Sequence, residues 1–335
     1  MPEPFHGSAP IVAAFELAGA PRDAFVEAVA GAAPVVVLSE VAEAERAEVL
    51  SAASAVFSRN PGRDLRDGEL PLIAGARLLQ CFSAGVDFIR LDMVPDSVPI
   101  ACNAGAFAEP MAEHAVAMTL AAFKRLAIEQ RALGSGEFNQ FKRNKSVQGS
   151  VFGIFGFGGI GVATARLMRG LGAEVIAINR RGRTDEAVDF IGNESDLDYL
   201  LERSDALLLC APYTTETAGI IGARELGLMK SDAALINLAR GELIDEGALY
   251  AHLLANPEFV ACIDAWWIEP VRHGEFRMDH PFLDLPNVIA SPHNSASVSR
   301  IGAPPYRLAG ENCRRAALGQ QPLHLVDRAL SPLLL

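Results

Sequence analysis

Val151-Phe-Gly-Ile-Phe155-Gly156-Phe-Gly158-Gly-Ile-Gly161 is the stretch on which the fold turns. Five apolar residues run into glycines spaced G-x-G-x-x-G, and a helical window, Val162 to Gly170, follows. Strand, glycine turn and helix in that order open a dinucleotide-binding βαβ unit. The first glycine allows the tight turn, the second lets the backbone approach a pyrophosphate, and the third lets helix and strand pack closely. The helix N-terminus adds free N–H groups and the positive end of its dipole. A glycine turn used only for packing would not need all these parts in register. The expected cofactor contacts are therefore Gly156, Phe157, Gly158, Gly159, Ile160 and Gly161.

Working outward, the runs Glu174 to Ile178, Ala206 to Cys210, Ala234 to Leu238, Val260 to Ile263 and Asn287 to Ala290 are strand-like, with helical windows between most of them. Continuous apolar strands separated by helices predict a parallel sheet covered on both faces. The first hundred residues repeat the alternation: Ile11 to Phe15, Pro34 to Leu38, Ala55 to Ser58, Leu78 to Phe82 and Val98 to Cys102 are β-rich, and Val41 to Ala53 is a helical window. Apolar spacing predicts one long connecting helix from Glu109 to Leu133, ended by Gly134-Ser-Gly136. An exposed linker to Gly149 follows, and from about Arg300 a helical stretch leads to Pro322–Val326, returning to the first domain. The expected fold is α/β: two Rossmann-like or flavodoxin-like β/α domains, doubly wound, with a cleft between them. Residues 1–103 and 297–335 would form the substrate-binding domain, and 104–296 the dinucleotide-binding domain.

Composition narrows the function classes. The 335 residues are 50% hydrophobic and 21% charged, with 29 Lys+Arg against 41 Asp+Glu. That is a globular chain, and its net charge of -12 repels phosphate polyanions and anionic lipid heads, so neither nucleic acid nor a membrane surface is an expected partner. No apolar run reaches the roughly 18 residues that span a bilayer. The first twenty residues carry Glu3 and Glu16 and no Lys or Arg, unlike a secretory or transit peptide, so the expected location is cytoplasmic. Five widely spaced cysteines without a C-x-x-C pair read as reduced core residues, with no metal.

The second strand of a dinucleotide unit usually ends in an acid that binds the adenine ribose hydroxyls. Here Asn179 stands there, followed by Arg180, Arg181 and Arg183, and guanidinium forks suit a 2′-phosphate better than two hydroxyls. NADP(H) is the favoured cofactor, with NAD(H) as the alternative if the arginines are a solvated loop. In an open parallel sheet, ligands gather beyond the carboxyl ends of the strands. Three such ends carry Arg240, then Asp264 with Glu269, then His293. The set combines a guanidinium for a carboxylate and an imidazole whose charged form a neighbouring carboxylate would favour.

The runs Asn237-Leu-Ala-Arg-Gly-Glu-Leu-Ile-Asp245, Asp264 to Pro270 and His280 to His293 resemble the D-isomer-specific 2-hydroxyacid dehydrogenase family. Ser83-Ala-Gly-Val-Asp87 and Asn103 to His114 are similar to that family's substrate loop and connecting helix. The resemblance implies Arg240, Glu269 and His293 as the catalytic set, and Ala84, Gly85, Val86 and Arg240 as binders of a 2-oxo or 2-hydroxy acid. It also implies Asp264 at the nicotinamide amide and Pro212, Thr217, Leu238 and Ala239 along the cofactor cleft. Three features depart from the pattern: Asn179, the Asn294-Ser-Ala segment after His293, and the longer loop Val271 to Asp279.

The implied activity is hydride transfer between a nicotinamide and C2 of a small acid, as in a glyoxylate or hydroxypyruvate reductase, in a cleft that shuts to exclude water. A formate-type enzyme would place Gln where Glu269 stands. A phosphite-oxidising relative would share the same acid–base set, and a dinucleotide-sensing corepressor would keep the fold without turnover. Trp266 and Trp267 are candidates for the pocket wall, with core packing as the competing role. The long helix and the linker after it suit a homodimer partner.

Overall fold

The computed structural model describes residues 9–299 and 302–330. Glu3, Arg300 as the start of the last helical stretch, and the ends of the chain lie outside the described residues. The chain divides into two compact units, Met1–Phe107 with Arg300–Leu335, and Ala108–Ser299.

The first unit is built on five parallel strands, β1 (Ile11–Ala13), β2 (Val35–Val37), β3 (Ala55–Ser58), β4 (Leu79–Cys81) and β5 (Ile100–Ala101), in the order β2-β1-β3-β4-β5. Successive side chains on a strand point to opposite faces. Ile11, Ala13 and Phe57 accordingly pack with Phe25, Ala309 and Cys313 of the helices Gly19–Val29 and Pro304–Ala317, while Val12, Val56 and Leu79 pack with Leu50 and Ile73 on the other side. Both faces are buried, which is why these strands read as unbroken apolar runs. The segment after the last helix returns to this sheet, where Leu325 bridges antiparallel to Ala101.

The second unit holds seven parallel strands: β6 (Val151–Phe155), β7 (Glu174–Ile178), β8 (Phe190–Gly192), β9 (Ala206–Leu209), β10 (Ala234–Asn237), β11 (Val260–Ile263) and β12 (Val288–Ala290). Their order is β12-β11-β10-β9-β6-β7-β8. The winding reverses between β6 and β9, the switch point at which such sheets open a crevice. Register levels the carboxyl ends: Phe155 pairs with Ile178 and Leu209, Asn237 with Leu209 and Ile263, and Ile263 with Ala290. Whatever follows those residues is therefore delivered to one edge of one sheet.

Three elements differ from expectation. The connecting helix is two helices, Ala108–Phe123 and Leu126–Gly134, broken at Arg125, whose φ is +55°. The break is held from outside the helix: Lys124 Nζ donates to Lys145 O, Lys145 N to Phe123 O, and Arg125 pairs with both Glu129 and Glu258. The window Val41–Ala53 shortens to a 3₁₀ turn, Glu43–Glu45, and the helix Arg46–Ser51. Strand β8 is an edge strand of three residues, too short to stand out from the acidic stretch around it.

Candidate active site

The glycine turn leaves β6 with Gly156 at φ +101°, a left-handed conformation that disfavours side chains, and a Cβ there would lie 2.4 Å from Ala211 N. Gly158 differs: it caps the helix Gly159–Gly170 with no side-chain partner, and a Cβ on it would meet nothing within 4 Å. The N–H groups of residues 158–161 have no acceptor among the described residues. An open space, faced by free N–H groups at a helix N-terminus, fits the pyrophosphate of a dinucleotide. Two outcomes follow. Gly156→Ala is expected to destabilise the protein by about 3 kcal/mol or more, seen as a thermal midpoint lower by roughly 10 °C. Gly158→Ala should melt within about 2 °C of wild type yet bind dinucleotide roughly tenfold more weakly, measured by calorimetry.

At the end of β7, Asn179 is spent on shaping its own loop. Its Oδ1 accepts from Arg181 N at 2.9 Å and its Nδ2 donates to Arg183 O at 3.1 Å, an Asx turn that presents the arginines. Arg180, Arg181 and Arg183 are exposed, and among the described residues none pairs with a carboxylate. Nearby Arg166 and Arg169 do pair, with Glu186 and Asp189. Beyond β9, Thr217 Oγ1 donates to Pro212 O at 2.7 Å and so braces the loop opposite the glycine turn. Cys210 at the same edge donates its thiol to Gly156 O, and burial pushes its pKa up to about 12.

After β10, Asn237 organises the turn that carries Arg240, accepting from Ala239 N and donating to Arg240 O at 2.7 Å. Ala239 and Arg240 are half-buried, whereas Leu238 is a core side chain. After β11 and β12 the chain brings Glu269 and His293 together. Both carboxylate oxygens lie near His293 Nδ1, at 2.8 and 2.7 Å, and Oε1 also accepts from Trp266 N at 2.7 Å.

Burial alone would raise the Glu269 pKa. The hydrogen bond and charge of His293, the Trp266 N–H and the Arg240 charge outweigh it and hold the carboxyl below its ordinary value. A carboxylate only accepts, so Nδ1 of His293 carries the hydrogen and Nε2 is the atom left for a ligand. The imidazole keeps one-third of its surface exposed, while the Glu269 side chain keeps 9%.

His293 itself has φ +49°, and its N–H donates to Asp264 O at 2.9 Å. Asp264 is wholly buried. Its carboxylate accepts from Ser291 Oγ at 2.5 Å, Asn294 N at 3.1 Å and Ser295 N at 3.3 Å, so the residue expected at the nicotinamide amide here ties down the turn bearing His293. Ser291 and His114 lie in the family-like runs without an assigned role, and here His114 Nε2 lies 3.1 Å from Ser291 Oγ.

The tryptophans pack inward. Trp266 is buried and donates to Ser291 O, and Trp267 stacks on Phe282 and donates to Ile244 O. Core packing, rather than a pocket wall, accounts for both.

A lowered carboxylate pKa stabilises the fold in full above the ordinary value of 4.5, and that contribution is lost as pH falls through the lowered one. Glu269→Gln should therefore lower the melting temperature near neutrality, and the variant should lose less of it than wild type between about pH 6 and pH 3.

In the first unit, Ala84, Gly85 and Val86 follow β4, and their N–H groups have no acceptor among the described residues. The buried Ser83 Oγ beside them also lacks one.

A glycine turn at the switch point of a doubly wound sheet, with an imidazole–carboxylate pair along the same edge, defines the class: α/β proteins of the dinucleotide-binding type. The sequence pattern of the D-isomer specific 2-hydroxyacid dehydrogenase NAD binding domain matches residues 116–295. The chain belongs to that family. It is 30% identical over 248 residues to a D-3-phosphoglycerate dehydrogenase of Methanocaldococcus jannaschii, covering 72% of this chain and 46% of the relative. This match thus spans less than half of the relative's length. It is 31% identical over 231 residues to a hydroxypyruvate reductase of Thermotoga maritima, covering 68% of this chain and 73% of the relative. A D-isomer specific 2-hydroxyacid dehydrogenase from Xanthobacter autotrophicus, solved with NADPH and MES, shares the fold with a TM-score of 0.73, at 22% identity over 96% of this chain and 98% of that one.

Proposed function

We propose that this protein reduces a small 2-oxo acid to its 2-hydroxy acid, the D isomer where C2 becomes a stereocentre, with NADP(H), glyoxylate and hydroxypyruvate being the favoured substrates. The observation that carries the proposal is the Glu269–His293 contact of 2.7 Å, on the same sheet edge as Arg240 and the glycine turn. When bound, the reduced nicotinamide would supply the hydride.

The chain's own residues do the rest. Arg240 holds the substrate carboxylate and polarises the keto oxygen, and Ala84, Gly85 and Val86 carry free N–H groups of the kind that bind a carboxylate. His293, oriented by Glu269, gives a proton from Nε2 to the forming alkoxide. The unit Ala108–Ser299 would hold the dinucleotide, and the arginines after Asn179 support NADP(H) over NAD(H) because three guanidinium groups with no carboxylate partner among the described residues suit a 2′-phosphate.

A soluble cytoplasmic homodimer completes the proposal. Among the described residues no helix is long and apolar enough to cross a membrane, and Leu126, Leu133, Phe138 and Phe141 expose more than half of their surface along the segment expected to meet a partner.

The test is a panel of 2-oxo acids with NADPH and NADH in parallel, followed by nicotinamide absorbance. Consumption of NADPH with glyoxylate or hydroxypyruvate is expected. NADPH binding without consumption on any 2-oxo acid would instead indicate a sensor.

A further inference from the structure

The loop Val271 to Asp279 has no part in the proton and hydride transfer described above. It begins as the short helix Pro270–His273, turns at Gly274 and closes through an antiparallel bridge between Ile268 and Arg277. Three of its side chains reach back. Arg272 forms an ion pair with Glu242 at 2.5 Å, two residues beyond Arg240, and its guanidinium lies over the Tyr213 ring, beside Pro212. Phe276 meets Trp266 edge-on at 5.5 Å, and it is Trp266 whose N–H binds the Glu269 carboxylate. His273 Nδ1 lies 2.9 Å from Glu269 N.

We propose that His273 is a positioning residue: its Nδ1 accepts the Glu269 N–H and so fixes the carboxylate that orients His293. A backbone N–H can only donate, so Nδ1 is unprotonated and the ring hydrogen sits on Nε2. Glu269 is the extended residue that caps a helix beginning with Pro270, and its N–H is the orphan donor that an N-terminal Glu or Gln side chain usually satisfies. Here an imidazole does so. With its N–H held by His273 and its carboxylate by Trp266 N and His293 Nδ1, Glu269 is constrained at both ends. The loop is a brace on the acid–base pair, with Arg272 steadying the turn after Arg240.

The mechanistic consequence rests on the proposed dehydrogenase reading; the hydrogen bond does not. His273→Phe keeps a ring and removes the acceptor, and His273→Asn keeps an acceptor near the Nδ1 position. In the protein as purified, the downfield Nδ1–H proton of His293, assigned by its loss in His293→Asn, should be sharp in wild type and in His273→Asn. In His273→Phe it should broaden by exchange with solvent. In turnover, His273→Phe should lower kcat roughly tenfold with KM for the 2-oxo acid within about twofold, and His273→Asn should recover most of the loss. A sharp resonance and wild-type kcat in His273→Phe would overturn the proposal. So would an Asn variant as impaired as the Phe variant. If no 2-oxo acid is turned over at all, the resonance still decides the role of His273, and only the dehydrogenase reading fails.

Discussion

Replacing His293 with Asn is expected to lower kcat by about 10² to 10⁴ while leaving NADPH affinity within roughly threefold and the melting temperature within about 2 °C. Asparagine is the informative substitution because residue 293 has φ +49°, which Asn tolerates better than Ala does. The turn is held by backbone contacts to Asp264, so loss of the imidazole removes the proton donor and leaves the turn standing. An unchanged KM with a collapsed kcat would mark an interaction made in the transition state. A variant keeping more than half of wild-type kcat would remove His293 from the mechanism.

The second large effect concerns the cofactor. Changing Arg180, Arg181 and Arg183 together to Ser should raise the KM for NADPH about 100-fold or more and leave that for NADH within roughly threefold. A hydrogen bond to a charged group contributes about 1.5 to 3 kcal/mol, and two of the three arginines suffice for that factor. The triple variant should fold normally, since the three side chains are exposed and Asn179 shapes the loop through backbone groups. Steady-state kinetics with both nucleotides checks it. Equal losses with NADH and NADPH would mean that the arginines act on something other than the 2′-phosphate.

Much of this architecture was legible in the residues. The runs Val151–Phe155, Glu174–Ile178 and Val260–Ile263 are strands over those same residues because a strand buried on both faces leaves an uninterrupted apolar signature. Arg240, Glu269 and His293 stood out because they follow such runs, and parallel topology carries every such end to one edge.

What escaped notice depends on contacts distant in sequence. Arg125 lies within helical apolar spacing, and only its partners Glu129 and Glu258, with the Lys145 strap, stabilise a left-handed residue there. The contacts of the Asp264 carboxylate with Ser291, Asn294 and Ser295 join residues that no local pattern links. Trp266 and Trp267 adjoin Glu269 in sequence, but their rings are held by residues distant in the chain, Trp266 by Ser291 O and the half-buried Trp267 by Phe282 and Ile244 O.

The central claim is that the imidazole of His293, set by Glu269, delivers a proton to the keto oxygen of a bound 2-oxo acid. The most direct measurement mixes NADPH-loaded protein rapidly with glyoxylate or hydroxypyruvate and follows the reduced-nicotinamide absorbance, with wild type and His293→Asn side by side. Loss of the absorbance in wild type, matched by formation of glycolate or D-glycerate respectively and slowed at least about 100-fold in the variant, is the predicted result. Equal rates in the two proteins, or an absorbance that no 2-oxo acid changes in wild type, would contradict it.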